Sequence, residues 1–299
     1  MSPATGKSRR TAALDLRALQ VLEWAFAEFT REMEPFMPVK AESAPASKAV
    51  KAAAKRMTLA EVMAELKKSG SEQTRKTYRR HGAEEPMFGV SFATLKVLYK
   101  RIKVDHDLAM ALWDTGNFDA RNLAVKIVDP AKMTVSDLDG WGKSKTAAMC
   151  HSYVAHVTVE GPHARSRADA WLTASDEWLS CTGWLLVGAM AQKDEATPDT
   201  WFLARLAEIE RTIKAAPNTQ RSAMSQAVIA IGCRNAVLRK AATAALKRIG
   251  PVEVDHGDTA CKTPDLQEHI DKAWAHSLAK KFESPAAHER TRESMRTRC

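Results

Sequence analysis

LWDTGNFDARNLAVKIV, residues 112–128, and AWLTASDEWLSCTGWLLVGAM, residues 170–190, are two versions of one unit. Each opens on a Trp-bearing run (Trp113, Trp171), passes through a small polar turn and reaches an aromatic residue (Phe118, Trp178). Each then continues as an apolar stretch with helical spacing. The two aromatics after the turn stand 60 positions apart. A looser third pair is RLAEIERTIKAAP (205–217) with SAMSQAVIAIG (222–232), followed by the Ala-rich AVLRKAATAALKRIG (236–250). A single helix pair of this length cannot bury its apolar faces, whereas stacked copies can. The pattern predicts an all-α fold, an α-solenoid of helix pairs with a concave groove suited to a long ligand such as a duplex.

Working outward, the helix boundaries are written in short-range chemistry. Thr58 and Glu61 form a capping box before LAEVMAELKK, and Gly70 falls where that helix should stop. Ser91 precedes SFATLKVLYKRI, whose Phe92, Leu95, Val97, Leu98 and Ile102 fall at helical spacings. Asp105 precedes DHDLAMALWD, and Asp129-Pro130 ends the element that follows Phe118. SDLDGWG (136–142), with two glycines, reads as a loop. No alternating stretch of useful length suggests a strand.

Three regions result. Residues 1–56 read as a basic leader and a flexible linker, with one amphipathic helix over Leu16, Leu19, Val21, Leu22, Trp24, Ala25 and Phe29. Residues 57–278 form the repeat domain, and residues 279–299 read as a disordered basic tail, poor in apolar side chains.

The formal net charge is +9, but it is unevenly spread. Residues 1–56 hold ten Lys and Arg against six Asp and Glu, and residues 279–299 hold six against three. Within the repeats, residues 57–104 hold ten against five. A polyanionic partner is therefore expected at the start of the repeat domain. The phosphate-contact candidates are Arg75, Lys76, Arg79 and Arg80, three to five residues apart on one helix face, with Lys96, Lys100 and Arg101 beyond. Among eight tryptophans, Trp113, Trp171 and Trp184 read as core, whereas Trp141 and Trp178, next to turns, are candidates for the groove.

No apolar run approaches the roughly 20 residues of a membrane span, and charges interrupt the N-terminal segment, which argues against secretion. Five scattered cysteines without a CxxC fit a reducing compartment. The expected location is cytoplasmic and nucleoid-associated. DHGDTACKTP (255–264) brings together Asp, His and Cys, but its spacing matches no zinc or calcium pattern. No metal, membrane or nucleotide cofactor is expected, and the chain reads as a monomer.

TRKTYRRHGAEEPMFGVSFATLKVLYKRIKVDHDLAMALWDTGNFDARNLAVKIVDP (74–130) resembles the N-terminal repeats of bacterial AlkD-like DNA alkylation repair proteins. ADAWLTASDEWLSCTGWLLVGAM (168–190) and IGPVEVDHGDTACKTPD (249–265) are similar to one branch of that family. The likeness runs over roughly residues 57–275. It implies HEAT-like repeats around double-stranded DNA and release of N3- or N7-alkylated purines. Such a lesion base leaves readily, so the enzyme must stabilise an oxocarbenium-like sugar with a carboxylate and pack aromatic rings on the backbone. The family accordingly uses an Asp with flanking Trp residues and an Arg that contacts phosphate. CHSYV (150–154) is similar to the segment bearing that Asp, which puts His151 at the carboxylate position. WLSC (178–181) puts Cys181 at the Arg position. Asp137 and Asp139 are the alternative carboxylates. Three functional readings follow: a DNA-binding repeat protein recognising duplex DNA or alkylated bases, an active alkylpurine glycosylase with an atypical site, and a protein-binding scaffold.

Overall fold

The computed structural model describes residues 56–145, 148–256 and 261–298. The amphipathic stretch over 16–29 lies outside the described residues, as does part of the DHGDTACKTP loop. Fourteen α-helices and no strands occur among the described residues. They are α1 (Leu59–Ser69), α2 (Glu72–Arg80), α3 (Phe92–Ile102), α4 (His106–Asp114), α5 (Phe118–Ile127), α6 (Val135–Gly142) and α7 (Ala148–Glu160). Then follow α8 (Ala164–Leu172), α9 (Glu177–Lys193), α10 (Asp199–Thr212), α11 (Asn218–Gly232), α12 (Ala236–Ile249), α13 (Leu266–Ala279) and α14 (Pro285–Arg290). The all-α expectation holds.

The capping signals act where the sequence places them. Thr58 and Glu61 close the capping box of α1, and the Gly70 N–H reaches back to the Lys67 carbonyl. Ser91 accepts from the Thr94 N–H, Asp105 from Leu108 and Asn117 from Ala120. SDLDGWG departs from its expected loop. It lies within α6, because Thr134 and Asp137 make a second capping box and Leu138, Trp141 and Gly142 are buried. Burial of that face outweighs the roughly 1 kcal/mol a helical glycine costs.

The helices form two rows. Successive members α5, α7, α9, α11 and α13 pack against one another as a central row, with α4, α6, α8, α10 and α12 flanking it. Within the central row α9 is buried from Leu179 to Ala191 and α11 at all but a few positions, while α13 at its end buries one stripe. Flanking helices bury one stripe, as α12 does with Leu238, Ala242, Ala245 and Ile249. The 60-residue echo therefore spans two helix pairs, since α6 and α7 lie between its two copies.

Flanking helices are tied by a repeated strut. The indole Nε1 of Trp171 donates to Asp139 at 2.6 Å, and that of Trp201 donates to Asp169 at 3.0 Å, each across 32 residues. An aromatic body buries apolar area while its one donor finds a carboxylate, so the strut fixes both spacing and orientation.

The last segment overturns the expectation of a disordered tail. Residues 284–298 cross the C-terminal ends of the central helices in turn. The Ala286 N–H donates to the Cys233 carbonyl after α11, and Lys193 at the end of α9 bonds Glu289. Arg296 pairs with Glu160 at the end of α7 and donates to the carbonyls of Val125, Lys126 and Val128 at the end of α5. Lys126, fully buried, donates in turn to the Arg296 carbonyl at 2.7 Å. The tail is held by charge-assisted bonds to unpaired helix-end carbonyls rather than by apolar burial, so its low apolar content misleads.

Candidate nucleic-acid interface

At the opposite edge, where the central helices begin, six residues from different elements converge: Trp113, Arg121, Trp141, Ser144, His151 and Trp178. Arg121 on α5 donates from Nε to the Trp113 carbonyl at 3.1 Å and from a terminal nitrogen to Ser144 Oγ at 2.7 Å. Its guanidinium lies 5.0 Å from the Trp113 ring centroid. Trp113 stacks on Trp141, with centroids 4.1 Å apart and rings within 9° of parallel. His151 on α7 donates from Nε2 to the Ser144 carbonyl, and its ring lies 5.0 Å from that of Trp178 at the start of α9.

His151 is fully buried beneath the half-buried Trp178. Burial pushes its pKa down to about 4, against smaller opposing effects from the Ser144 carbonyl and Asp176. The ring is neutral near pH 7, and its Nδ1 has no hydrogen-bond partner among the described residues. It offers neither a negative charge nor an accessible face. Cys181 is likewise buried, with its thiol raised to about 12 by burial and by Glu177, and it points at the Thr219 carbonyl. A neutral thiol at that depth holds no phosphate and attacks nothing.

The alternative carboxylates are engaged elsewhere. Asp137 accepts from the Thr134 N–H and hydroxyl in its capping box. Asp139 accepts from Arg167 at 3.0 Å and from Trp171 at 2.6 Å. Trp141 is 3% exposed, so the structure places it in the core rather than on a groove wall. Among the described residues, no group of three or more His, Cys, Asp and Glu is arranged to hold a metal. In the DHGDTACKTP loop, His256 and the Val254 backbone bond Thr263, and Asp255 bonds Asn218.

Over residues 62–257 the sequence matches the family described as DNA alkylation repair enzyme. The chain belongs to that family. Uncharacterized proteins of Listeria monocytogenes serovar 1/2a and Listeria innocua serovar 6a are each 26% identical to it over 223 residues, covering 73% of this chain and 97% of theirs. One solved structure is 31% identical with a TM-score of 0.68, covering 76% of this chain and 96% of its own. It is described as a new family of proteins related to the HEAT-like repeat DNA glycosylases, with affinity for branched DNA structures. The fold of this alkylation repair family member is thus a HEAT-like repeat.

The basic residues of this family member divide into two groups. Arg75 and Arg79 pair with both Glu72 and Glu85 at 2.6–3.1 Å. Burial opposes ionisation of Glu85, but hydrogen bonds from Arg79 and Arg75 prevail and hold it at about 2. Arg101 pairs with Glu65 at 3.0 Å. Lys76, Arg80 and Lys100 are exposed, and Lys96 is half-buried. Of the expected phosphate contacts, Lys76, Arg80 and Lys100 present the most open cations. The sequence reading missed Arg121 and Ser144, which join His151 to the tryptophan pair. An arginine in the first turn of the helix that starts at Phe118, just before the largely apolar NLAVKIV (122–128), was the available signal.

Proposed function

We propose that this protein binds duplex or branched DNA through phosphate contacts from Lys76, Arg80 and Lys100 and does not excise a base from it. The observation that carries this reading is the state of His151, which stands where the resemblance puts the family's carboxylate. A buried, neutral imidazole cannot stabilise a cationic sugar as a carboxylate does. Asp137 and Asp139 are committed to a helix cap and to an Arg–Trp pair, so neither supplies the missing charge. The affinity for branched DNA described for the 31% identical structure supports junctions as well as plain duplex as ligands.

The test combines gel retardation with an excision assay. Linear duplex and a four-way junction should both be retarded, with affinity falling steeply as salt rises because bound phosphates release counterions. Duplex carrying 7-methylguanine should yield no abasic product above the spontaneous rate. Product lost on replacing Asp139 or Asp137 would instead establish an active glycosylase with an atypical site. Failure to retard either DNA at low salt removes the binding reading and leaves a protein-binding scaffold.

A further inference from the structure

Stacked repeats hold their immediate neighbours, so a stack of helix pairs bends by small rotations at every interface. The central row is built that way: α5 packs on α7, α7 on α9, α9 on α11 and α11 on α13. Residues 284–298 cut across that order, because one short segment is joined to all five helices. At its start, the Phe282 ring stacks on His288 with centroids 4.4 Å apart, and His288 Nδ1 lies 3.5 Å from the Ser277 hydroxyl on α13. The Ala286 N–H donates to the Cys233 carbonyl after α11 at 3.1 Å. Lys193, ending α9, donates to the Glu289 carbonyl at 2.6 Å and pairs with its carboxylate at 3.5 Å. Arg290 pairs with Glu195 just beyond α9 at 3.3 Å. Arg296 reaches Glu160 on α7 at 2.7 Å and the last carbonyls of α5 at 2.8–3.3 Å.

Between these joints the segment is tied to itself. Glu289, 3% exposed, takes Arg298 and Arg292 from the segment as well as Lys193 from α9. Ser284 caps α14 through the Ala287 N–H, and the Ser294 carbonyl accepts from the Thr297 and Arg298 N–H groups. The far joint is reciprocal, since Lys126 of α5 donates to the Arg296 carbonyl at 2.7 Å while Arg296 serves the carbonyls of α5. A segment folded on itself between fixed points has little slack. Rotations that spread the helix ends are opposed until a joint breaks.

We propose that residues 284–298 are a tie along the helix-end edge of the stack that holds the repeats at one curvature. The competing reading is a set of separate caps, each acting on its own helix end. A tie transmits a disturbance from one joint to the others, whereas separate caps do not. A second consequence rests on the DNA-binding reading above: a stack held at one curvature is preorganised, so the protein loses little of its own freedom when it grips DNA.

Hydrogen exchange and small-angle scattering on the full chain test the tie without DNA. Lys193→Met cuts the joint to α9 and leaves every bond at α5 and α7 in place. Exchange should nevertheless quicken about tenfold or more at residues 294–298 and in the last turn of α5. Arg296→Ala should act in the reverse direction, on the Ala286 N–H and the end of α9. Both variants should show a larger radius of gyration than the wild type. Acceleration confined to the helix whose joint was cut overturns the tie, as does an unchanged radius of gyration in both variants. If Arg296→Ala does not fold, Lys193→Met carries both readouts by itself. Duplex affinity of Lys193→Met at low salt should fall about threefold or more with its salt slope unaltered, because no phosphate contact is removed. An unchanged affinity with the expected exchange pattern refutes the preorganisation and leaves the tie standing. A wild type that does not bind duplex refutes the DNA reading alone, since exchange and scattering decide the tie.

Discussion

The two edges of the central helix row are finished in opposite ways. At the edge where the helices end, one continuous segment crosses α13, α11, α9, α7 and α5, and buried Arg296 alone serves three carbonyls. At the edge where they begin, three of the central helices are closed by a neighbour in sequence: Asn117 for α5, Asp176 for α9 and Asp265 for α13. Pro217 precedes α11 with no side-chain cap at all. Helix-end carbonyls and helix-start amides are equally unpaired, but a short Asp or Asn reaches only the amides of its own first turn. Carbonyls need donors brought from elsewhere, and long arginines on a returning chain supply them. The first edge is consequently sealed, and the second keeps the half-buried Trp178 ring and Arg121 near its surface.

Breaking the sealed edge should have the largest effect. Arg296→Ala removes the bonds to three carbonyls and leaves Glu160 only the Ser294 hydroxyl as a partner. Denaturant unfolding should show a loss of about 3–5 kcal/mol. A loss below about 1 kcal/mol means that the segment merely rests on the helix ends.

Acid should act on both edges, over different windows. His156, on α7 near the sealed edge, is driven to about 3 by burial and then by Arg298, Lys193 and Arg296. His151 at the open edge is driven to about 4. Both values lie below the 6.5 of the unfolded chain, so the unfolded state binds more protons as pH falls. Stability is full above pH 6.5 and declines below it, until about pH 4 for His151 and about pH 3 for His156. His151 contributes on the order of 3 kcal/mol to that decline and His156 on the order of 5 kcal/mol. His151→Gln should flatten the upper part of a stability-versus-pH profile, and a profile unchanged by the substitution contradicts the buried neutral ring.

At the open edge, losing a cap should cost less. Asp176→Ala should lower stability by about 1 kcal/mol, the usual worth of an N-cap, as read by thermal melting. A cost equal to that of Arg296→Ala would erase the contrast between the edges. The smallest structural effect belongs to the double change Lys76→Ala with Arg80→Ala, within about 0.5 kcal/mol in stability. Its duplex affinity should nevertheless drop, with the salt slope reduced by roughly 1 to 2. An unaltered slope places the phosphate contacts elsewhere.

Much of the fold was legible because helix caps and stripes act over three or four residues. Thr58, Ser91 and Asp105 do in space what their spacing announces. The echo around Trp113 and Trp171 announced stacked pairs, yet α6 was missed, because its two glycines outweighed the Thr134–Asp137 box in a purely local reading. The tail was misread for a related reason: Arg296 is a solvated charge by composition and a buried anchor only when five helix ends stand in a row. Trp141 looked like a groove residue beside its turn, and only the packing of α4 on α6 turned it inward against Trp113.

The residues of the site were named by sequence, but their condition was not. His151 and Cys181 were identified by position, and the basic run from Arg75 to Arg101 by charge. Arg75, Arg79 and Arg101 are drawn into ion pairs with Glu72, Glu85 and Glu65, which leaves Lys76, Arg80 and Lys100 as the open cations. Sequence determined what is decided within one or two helical turns: helix limits, apolar faces, the stacking of pairs and the family. Tertiary structure decided burial, protonation and partner choice, because desolvation and charge pairing depend on which residues meet in space, across 10 positions for Arg75 and Glu85 and 170 for Lys126 and Arg296.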